Sequence, residues 1–351
     1  MKDSIKRVQT LLDGEKPDRV PLFDLIRSDA IFEHFSGKKL TVENAKEIIY
    51  ANFGKIVDST RPMIKLPQKE VSTVRPDGRK SVQRRWTGWV EHVKYSSSEE
   101  YAKAKNELLN RDRNWSSEDE KNLNIYVDEH MEMQKALGDL YFFSTLHGGV
   151  GLLGVYGEVG IEEFSYYLAD CPEVIKNLLE LSTVKTVQMI EHLPSRFNAG
   201  GIFFADDMAF NTGTIVSPDF LNSEYFPRLK RITDAAHKKN LKVFFHSDGN
   251  LMGVISGLAG AGIDVLNPIE VIAGMDIAKV HKAFPKLILA GGIDVSQLLP
   301  FGKPEEIKDA VIKAIEDAEG KIMIGSTTEM HEEVPIANFL ALQETVLKYK
   351  L

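Results

Sequence analysis

Short apolar runs alternate along this chain with longer stretches in which apolar residues recur every three or four positions. The rhythm is clearest after residue 200. Gly201–Ala205, Lys242–His246, Asp264–Asn267, Lys286–Ala290 and Lys321–Gly325 have the length and content of buried strands. Each is followed by a helix-period stretch, at 218–239, 251–259, 276–283, 304–317 and 335–350. Pro218, Pro304 and Pro335 fall where a first helical turn tolerates proline. Five strand–helix units in succession predict parallel strands joined by crossover helices. Val20–Ile26, Lys55–Asp58 and Leu140–Thr145 bring the strands to eight, with helices through 161–169 and 172–193 after the third. Eight units favour the α/β class, as a single (β/α)8 TIM barrel over residues 1–351, against a doubly wound open sheet. An insertion at about 69–124 separates strands two and three. Its β-rich runs flank Pro76-Asp77-Gly78, a turn signal that predicts a β-hairpin, and the charged stretch 96–124 reads as helix and loop.

Composition narrows the classes. The chain has 351 residues, 43% of them hydrophobic, enough for a sizeable core. A net charge of -8 argues against non-specific nucleic-acid binding. No apolar run is long enough for a membrane span, and the polar N-terminus lacks the apolar stretch of a signal peptide, so a cytoplasmic enzyme is expected. The single cysteine, Cys171, excludes an internal disulfide and any multi-cysteine metal cluster, and its place before Pro172 reads as a helix start. Phosphate-loop, dinucleotide, serine-elbow and H-E-x-x-H zinc motifs are missing, which removes the commonest nucleotide, serine-hydrolase and metalloprotease readings.

In a (β/α)8 barrel the chemistry lies at the C-terminal ends of the strands. That rule selects Asp24 and Arg27; Asp58, Arg61 and Met63; His147; Asp206 and Asp207; His246 and Asp248; Asn267 and Glu270; and Ser326 with His331 beyond. His246 and Asp248 flank one residue, so from an extended strand end they point to one side, and Glu270 follows the next strand. One imidazole and two carboxylates suit Zn2+ or another divalent ion. The same groups suit proton transfer without a metal, or a hydrogen-bonded network that holds loops. Asp206-Asp207 is costly to bury without partners, so at least one is expected to face the mouth as a catalytic or substrate-positioning group. Asp24, Arg27, Asp58, His147, Ser326 and His331 are candidate substrate contacts, His147 through the backbone of His147-Gly148-Gly149. Trp86 and Trp89 on the hairpin suit packing more than ligand stacking and offer a contact surface for a homodimer.

Lys16–Pro21, Asp170–Glu173, Phe245–Gly249, Gly292–Asp294 and Gly325–Ser326 with Pro335–Asn338 together resemble the uroporphyrinogen decarboxylase superfamily. That superfamily also holds cobalamin-dependent methyltransferases and is akin to cobalamin-independent methionine synthase. The resemblance implies a (β/α)8 barrel. The decarboxylases resemble one another in an arginine-rich segment after the first strand, whereas this chain has a lone Arg27 among Asp24 and Asp29, which points away from a substrate bearing many carboxylates. The methyltransferases hold zinc through a His-x-Cys pair and a later cysteine. By that resemblance His246 matches the histidine, Asp248 falls at the first cysteine, Ser326 near the last, and Glu270 at the spacing of the methionine synthase glutamate. Oxygen in place of thiolate implies a harder metal site, suited to polarising an oxygen of a methyl donor rather than activating a thiol. The expected function is methyl transfer between a small methoxy-aryl, alcohol or amine substrate and a corrinoid supplied by a partner protein. The alternatives are a cofactor-free decarboxylase acting on a tetrapyrrole or smaller carboxylate, and a non-catalytic corrinoid or tetrapyrrole binder.

Overall fold

A computed structural model describes residues 3–61, 64–110, 113–146 and 148–351. The strands in chain order are β1 (Ile26–Arg27), β2 (Ser59–Thr60), β3 (Val71–Val74), β4 (Lys80–Gln83), β5 (Gly88–Val90), β6 (Tyr141–Phe142), β7 (Gly201–Ala205), β8 (Ala209–Phe210), β9 (Gly213–Thr214), β10 (Lys242–His246), β11 (Val265–Asn267), β12 (Ile288–Ile293), β13 (Ile322–Ser326) and β14 (Met330–His331). Five of them form one parallel sheet in the order β13-β12-β11-β10-β7. These strands are buried almost throughout, which is why they read as continuous apolar runs rather than alternating ones. Parallel pairing continues past the β7 edge: Ser144 bridges Ile202, β6 pairs with β2, and Phe23 bridges Ser59. At the other edge Leu22 bridges Ile324 of β13, also in parallel. Helices cover the outside of these strands, among them Pro172–Glu191, Phe226–Lys238, Pro304–Asp317 and Ile336–Lys348.

Two apolar clusters follow from the strand period of two. One lies between the strands and the helices. The other gathers Phe23, Tyr141, Phe143, Phe203, Phe244, Val265, Ile288, Ala290 and Met323 on the opposite face of the strands. Phe244 sits among Phe23, Phe143 and Phe203 with ring centroids 4.7, 4.7 and 5.3 Å away, contacts worth about 0.5–1.5 kcal/mol each beyond the area they bury. Val8, Leu11 and Leu12 of the first helix, Ser4–Leu12, join this second cluster. The Ser4 hydroxyl donates to Asp58, the residue before β2, and its backbone N–H donates to Asp139, shortly before β6. The helix therefore caps the N-terminal ends of the strands.

The expected second strand is displaced. Lys55 and Ile56 end the helix Ala45–Ile56, whose buried positions 45, 48, 49, 52, 53 and 56 keep helical spacing, and pairing starts only at Ser59. Strand one pairs briefly, through Leu22, Phe23 and β1, and β1 runs beside β14. The inserted segment carries three antiparallel strands, β3-β4-β5, with the turn at Pro76–Gly78. Helices Ser98–Leu109 and Ser117–Leu137 follow, the second capped by reciprocal bonds between Ser116 and Asp119 and running well past residue 124. Trp86 belongs to the interior: its ring stacks on Phe32 and its indole N–H donates to Asp29, while Trp89 stays half-exposed. Among the described residues, no helix is long and apolar enough to cross a membrane.

Candidate functional site

Register and side-chain parity assemble the site. His246 lies beside Ala205 on one side and Asn267 on the other, at the C-terminal ends of three neighbouring parallel strands. Phe203 and Phe244 face the inner cluster, so two and four residues further on the same face continues as Ala205 and Asp207 on one strand and His246 and Asp248 on the next. Asp207, His246 and Asp248 thereby bring one ligand atom each within 4.8 Å of one another. The imidazole Nε2 lies 3.7 Å from Asp207 Oδ1 and 3.7 Å from Asp248 Oδ1.

The histidine is held in one tautomer. Its Nδ1 lies 2.7 Å from the Asn267 side-chain oxygen, an acceptor, while the Asn267 amide donates to the Ala290 carbonyl. Nδ1 carries the proton, and the Nε2 lone pair faces the two carboxylates. Burial pushes the His246 pKa down, with the Arg61 charge adding to the effect, so the ring is neutral. Three lone-pair donors directed at one another require a cation or a proton between them. The donor set, one imidazole nitrogen and two carboxylate oxygens, fits a divalent ion of intermediate to hard character. Burial pushes the Asp248 carboxyl up to about 7, with the charges of Asp207 and Glu270 adding to it.

The surrounding residues position these three. Asp206, next to Asp207 but facing the other way, is fully occupied: Gly151, Leu152 and Leu153 donate their backbone N–H groups and Tyr225 its hydroxyl. It caps the N-terminus of helix Leu152–Val159. The Tyr156 hydroxyl on that helix donates to the Asp207 carbonyl. The Asp248 N–H donates to Asp207 Oδ1 at 3.1 Å. Glu270 lies close enough for its charge to act on Asp248, and it accepts the Gly249 N–H at 2.7 Å, fastening the loop after β10. The three groups that meet within 4.8 Å are Asp207, His246 and Asp248, and Glu270 is not among them. The strand-end rule selects Asn267 and Arg61 without assigning either of them a ligand or proton-transfer role. The strand parity that aligns Asp207 with Asp248 also places Asn267 beside His246.

The other candidates fall in different places. Asp24 and Ser326 meet each other: Ser326 donates its N–H to one carboxylate oxygen and its hydroxyl to the other, both at 2.8 Å, and Leu25 and Met330 add backbone N–H groups. Burial outweighs these donors and pushes the Asp24 carboxyl up to about 6. Asp58 lies at the N-terminal end of β2, remote from the triad, because it precedes the strand rather than following it. There its carboxylate accepts from Arg7, Arg19, Ser4 and the Leu22 N–H. His331 is satisfied by the Val295 carbonyl and the Glu333 N–H. Arg27 pairs with Glu329 at 2.5 Å, and Arg61 reaches the same carboxylate at 3.6 Å. His147 and Met63 lie outside the described residues.

The comparisons with known proteins agree with this architecture. A methyltransferase from Methanosarcina mazei superposes with a TM-score of 0.69 at 17% identity, over 99% of this chain and 98% of that one. A B12-independent methionine synthase from Shewanella sp. W3-18-1, in complex with selenomethionine, superposes with a TM-score of 0.52 at 13% identity, over 94% of this chain and 98% of that one. At these identities the likeness is one of fold. No protein of curated function matches the chain significantly by sequence. Residues 154–349, which carry Asp207, His246 and Asp248, match the profile of the uroporphyrinogen decarboxylase (URO-D) family. As that match takes in more than half of the sequence, the chain belongs to the uroporphyrinogen decarboxylase family.

Proposed function

We propose that this protein is a methyltransferase that moves a methyl group between a small substrate of methoxy-aryl, alcohol or amine type and a corrinoid supplied by a partner protein. It would work as a single domain in which the parallel strands close into a (β/α)8 barrel. The bridges from Leu22 to Ile324 and from Ser144 to Ile202 support closure, as does the inner cluster fed by strands from every side. The observation that carries the functional reading is the convergence of Asp207, His246 and Asp248 with the Nε2 lone pair directed into the group. These three residues would hold a divalent ion, zinc being the first candidate. When bound, it would supply Lewis acidity to a donor oxygen or nitrogen and ease departure of the methyl group. The protein's own part is positional. Asn267 fixes the imidazole, and Asp206, through its helix cap, and Tyr156, through the Asp207 carbonyl, fix the backbone at Asp207. Phe203 provides an apolar floor 5.9 Å from the imidazole.

A second reading, a cofactor-free carboxy-lyase, draws support from Asp248. A carboxyl held near 7 could donate a proton to a carbanion left by loss of carbon dioxide. Metal content separates the two. Protein incubated with zinc and freed of excess is expected to retain about one ion per chain by elemental analysis. It is also expected to transfer methyl groups to reduced cobalamin from a methoxy-aryl, methanol or methylamine donor, followed by the cobalamin absorbance. Absence of both metal and transfer would overturn the methyltransferase reading, and decarboxylation of a supplied acid would then establish the second.

A further inference from the structure

Opposite the acidic triad lies a cluster of positive charge that the proposed metal chemistry does not use. Arg61 stands just past β2, with its side chain only 16% exposed, and its guanidinium lies over the Phe203 ring, 5.7 Å from the centroid. The His246 imidazole lies 5.9 Å from that same ring, so the two groups share one floor. Arg61 feels the charges of Asp248 and Asp207, yet makes no hydrogen bond among the described residues, and its ion pair with Glu329 is long at 3.6 Å. Arg27, 12% exposed, spends one nitrogen on Glu329, while its Nε is buried without a partner. Lys65 is half-buried within reach of both arginine charges. Burial holds Arg61, Arg27 and Lys65 on the low side of their usual pKa values, and repulsion from Arg27 adds to it at Arg61, as repulsion from both arginines does at Lys65.

Three cations thus surround one carboxylate. With Asp207 and Asp248 engaged by a divalent ion, their charge would no longer serve Arg61, and the cluster would be left in excess. Repulsion among buried guanidinium groups is unfavourable unless a further anion enters. Glu329 shows the form such a partner takes, a carboxylate gripped between two arginines. All of Arg27, Arg61, Lys65 and the floor residue Phe203 surround the mouth, but the first three precede the segment matched by the family profile.

We propose that Arg61, backed by Arg27 and Lys65, forms an anion subsite, and that the substrate is a small acid whose carboxylate rests on Arg61 while its reacting group reaches the triad. This inference rests on the methyl-transfer reading for the identity of the reacting group, but the subsite can be tested by binding alone. Two probes of nearly equal shape, 4-methoxybenzoate and 4-methoxytoluene, differ in the carboxylate. Their affinities would be measured by calorimetry on zinc-loaded and on EDTA-treated protein. The wild type is expected to bind the carboxylate probe at least about tenfold more tightly. Arg61→Gln is expected to erase most of that preference. Arg61→Lys, which keeps the charge but loses the planar fork, should retain part of it. No measurable binding of 4-methoxybenzoate up to the millimolar range, or no preference in the wild type, overturns the subsite. So does a preference that survives Arg61→Gln, including one that vanishes only with EDTA and so belongs to the metal. Should Arg61→Gln fail to fold by thermal melting, an unchanged preference in Arg61→Lys together with insensitivity to chloride overturns it equally. Loss of preference in Arg61→Gln without methyl transfer from any donor upholds the subsite and defeats the methyltransferase reading. Transfer without any charge preference does the reverse.

Discussion

Asp206 and Asp207 are neighbours of identical chemistry with opposite duties, and the difference is one step of strand parity. Asp206 turns outward to the helix N-terminus at Gly151–Leu153, and Asp207 turns inward to His246. Asp248 and Glu270, which follow different strands, also divide their duties: Asp248 joins the triad and Glu270 fastens Gly249. Asp207→Asn is therefore expected to reduce zinc retention at least about tenfold, since a neutral amide is a poor ligand beside a carboxylate. Glu270→Gln keeps an acceptor for the Gly249 N–H and should retain the ion. Elemental analysis of the two variants after identical loading checks this, and the opposite ranking would restore Glu270 as the ligand. His246 and Asp248 could be picked out from the residues because they flank a single position. Asp207 could be named but not distinguished from Asp206, because only the register of β7 against β10 decides which faces inward.

At the level of elements, legibility followed burial. Strands β7, β10, β11, β12 and β13 are buried on both faces, so each stood out as an apolar run. β2 was hidden for the opposite reason. Ser59 and Thr60 are buried hydroxyl residues, and Thr60 spends its hydroxyl on the Asp24 carbonyl, while the apolar Ile56 nearby completes a helix. Asp24 itself ties the first strand to β13 through Ser326. Its carboxyl is raised from 3.8 to about 6 by burial, so the folded state holds that proton more tightly than the unfolded chain. The associated stability is fully present below pH 3.8 and is lost as pH rises through about 6. Asp24→Asn has no such proton. The stability gap between wild type and this variant is expected to be larger at pH 4.5 than at pH 7.5, by about 2 kcal/mol. Urea denaturation at the two pH values measures it, and a gap that widens toward pH 7.5 would refute the assignment.

For the molecule as a whole, the two ends of the strands divide the work. The C-terminal ends carry the triad and the arginines. The N-terminal ends carry a buried ion cluster in which Asp58, fully sequestered, joins Arg7 and Arg19. Removing the shared carboxylate takes a buried counter-charge from Arg7 and Arg19, of which Arg7 keeps Asp18, so Asp58→Asn is expected to lower stability by about 3–5 kcal/mol. Chemical denaturation reads that loss, and metal retention in the folded variant should match the wild type because the triad lies at the other end. A variant of normal stability that fails to bind metal would move Asp58 back to the site. The sequence could place Asp58 only near a strand end; which end depended on where β2 begins, at Ser59 rather than at Lys55.

The helix Ser4–Leu12 also sets a timetable for folding. Its Val8, Leu11 and Leu12 settle against an inner cluster that includes Val265, Ile288 and Met323. During synthesis, this first helix emerges long before the surface that receives it is complete. The strands it touches most, β2 and β6, follow early, but the apolar cluster it joins is complete only once the strand bearing Met323 has been made. Contacts of such sequence separation form slowly and leave partly folded chains open to association. The helix is thus made well before the cluster that receives it is complete.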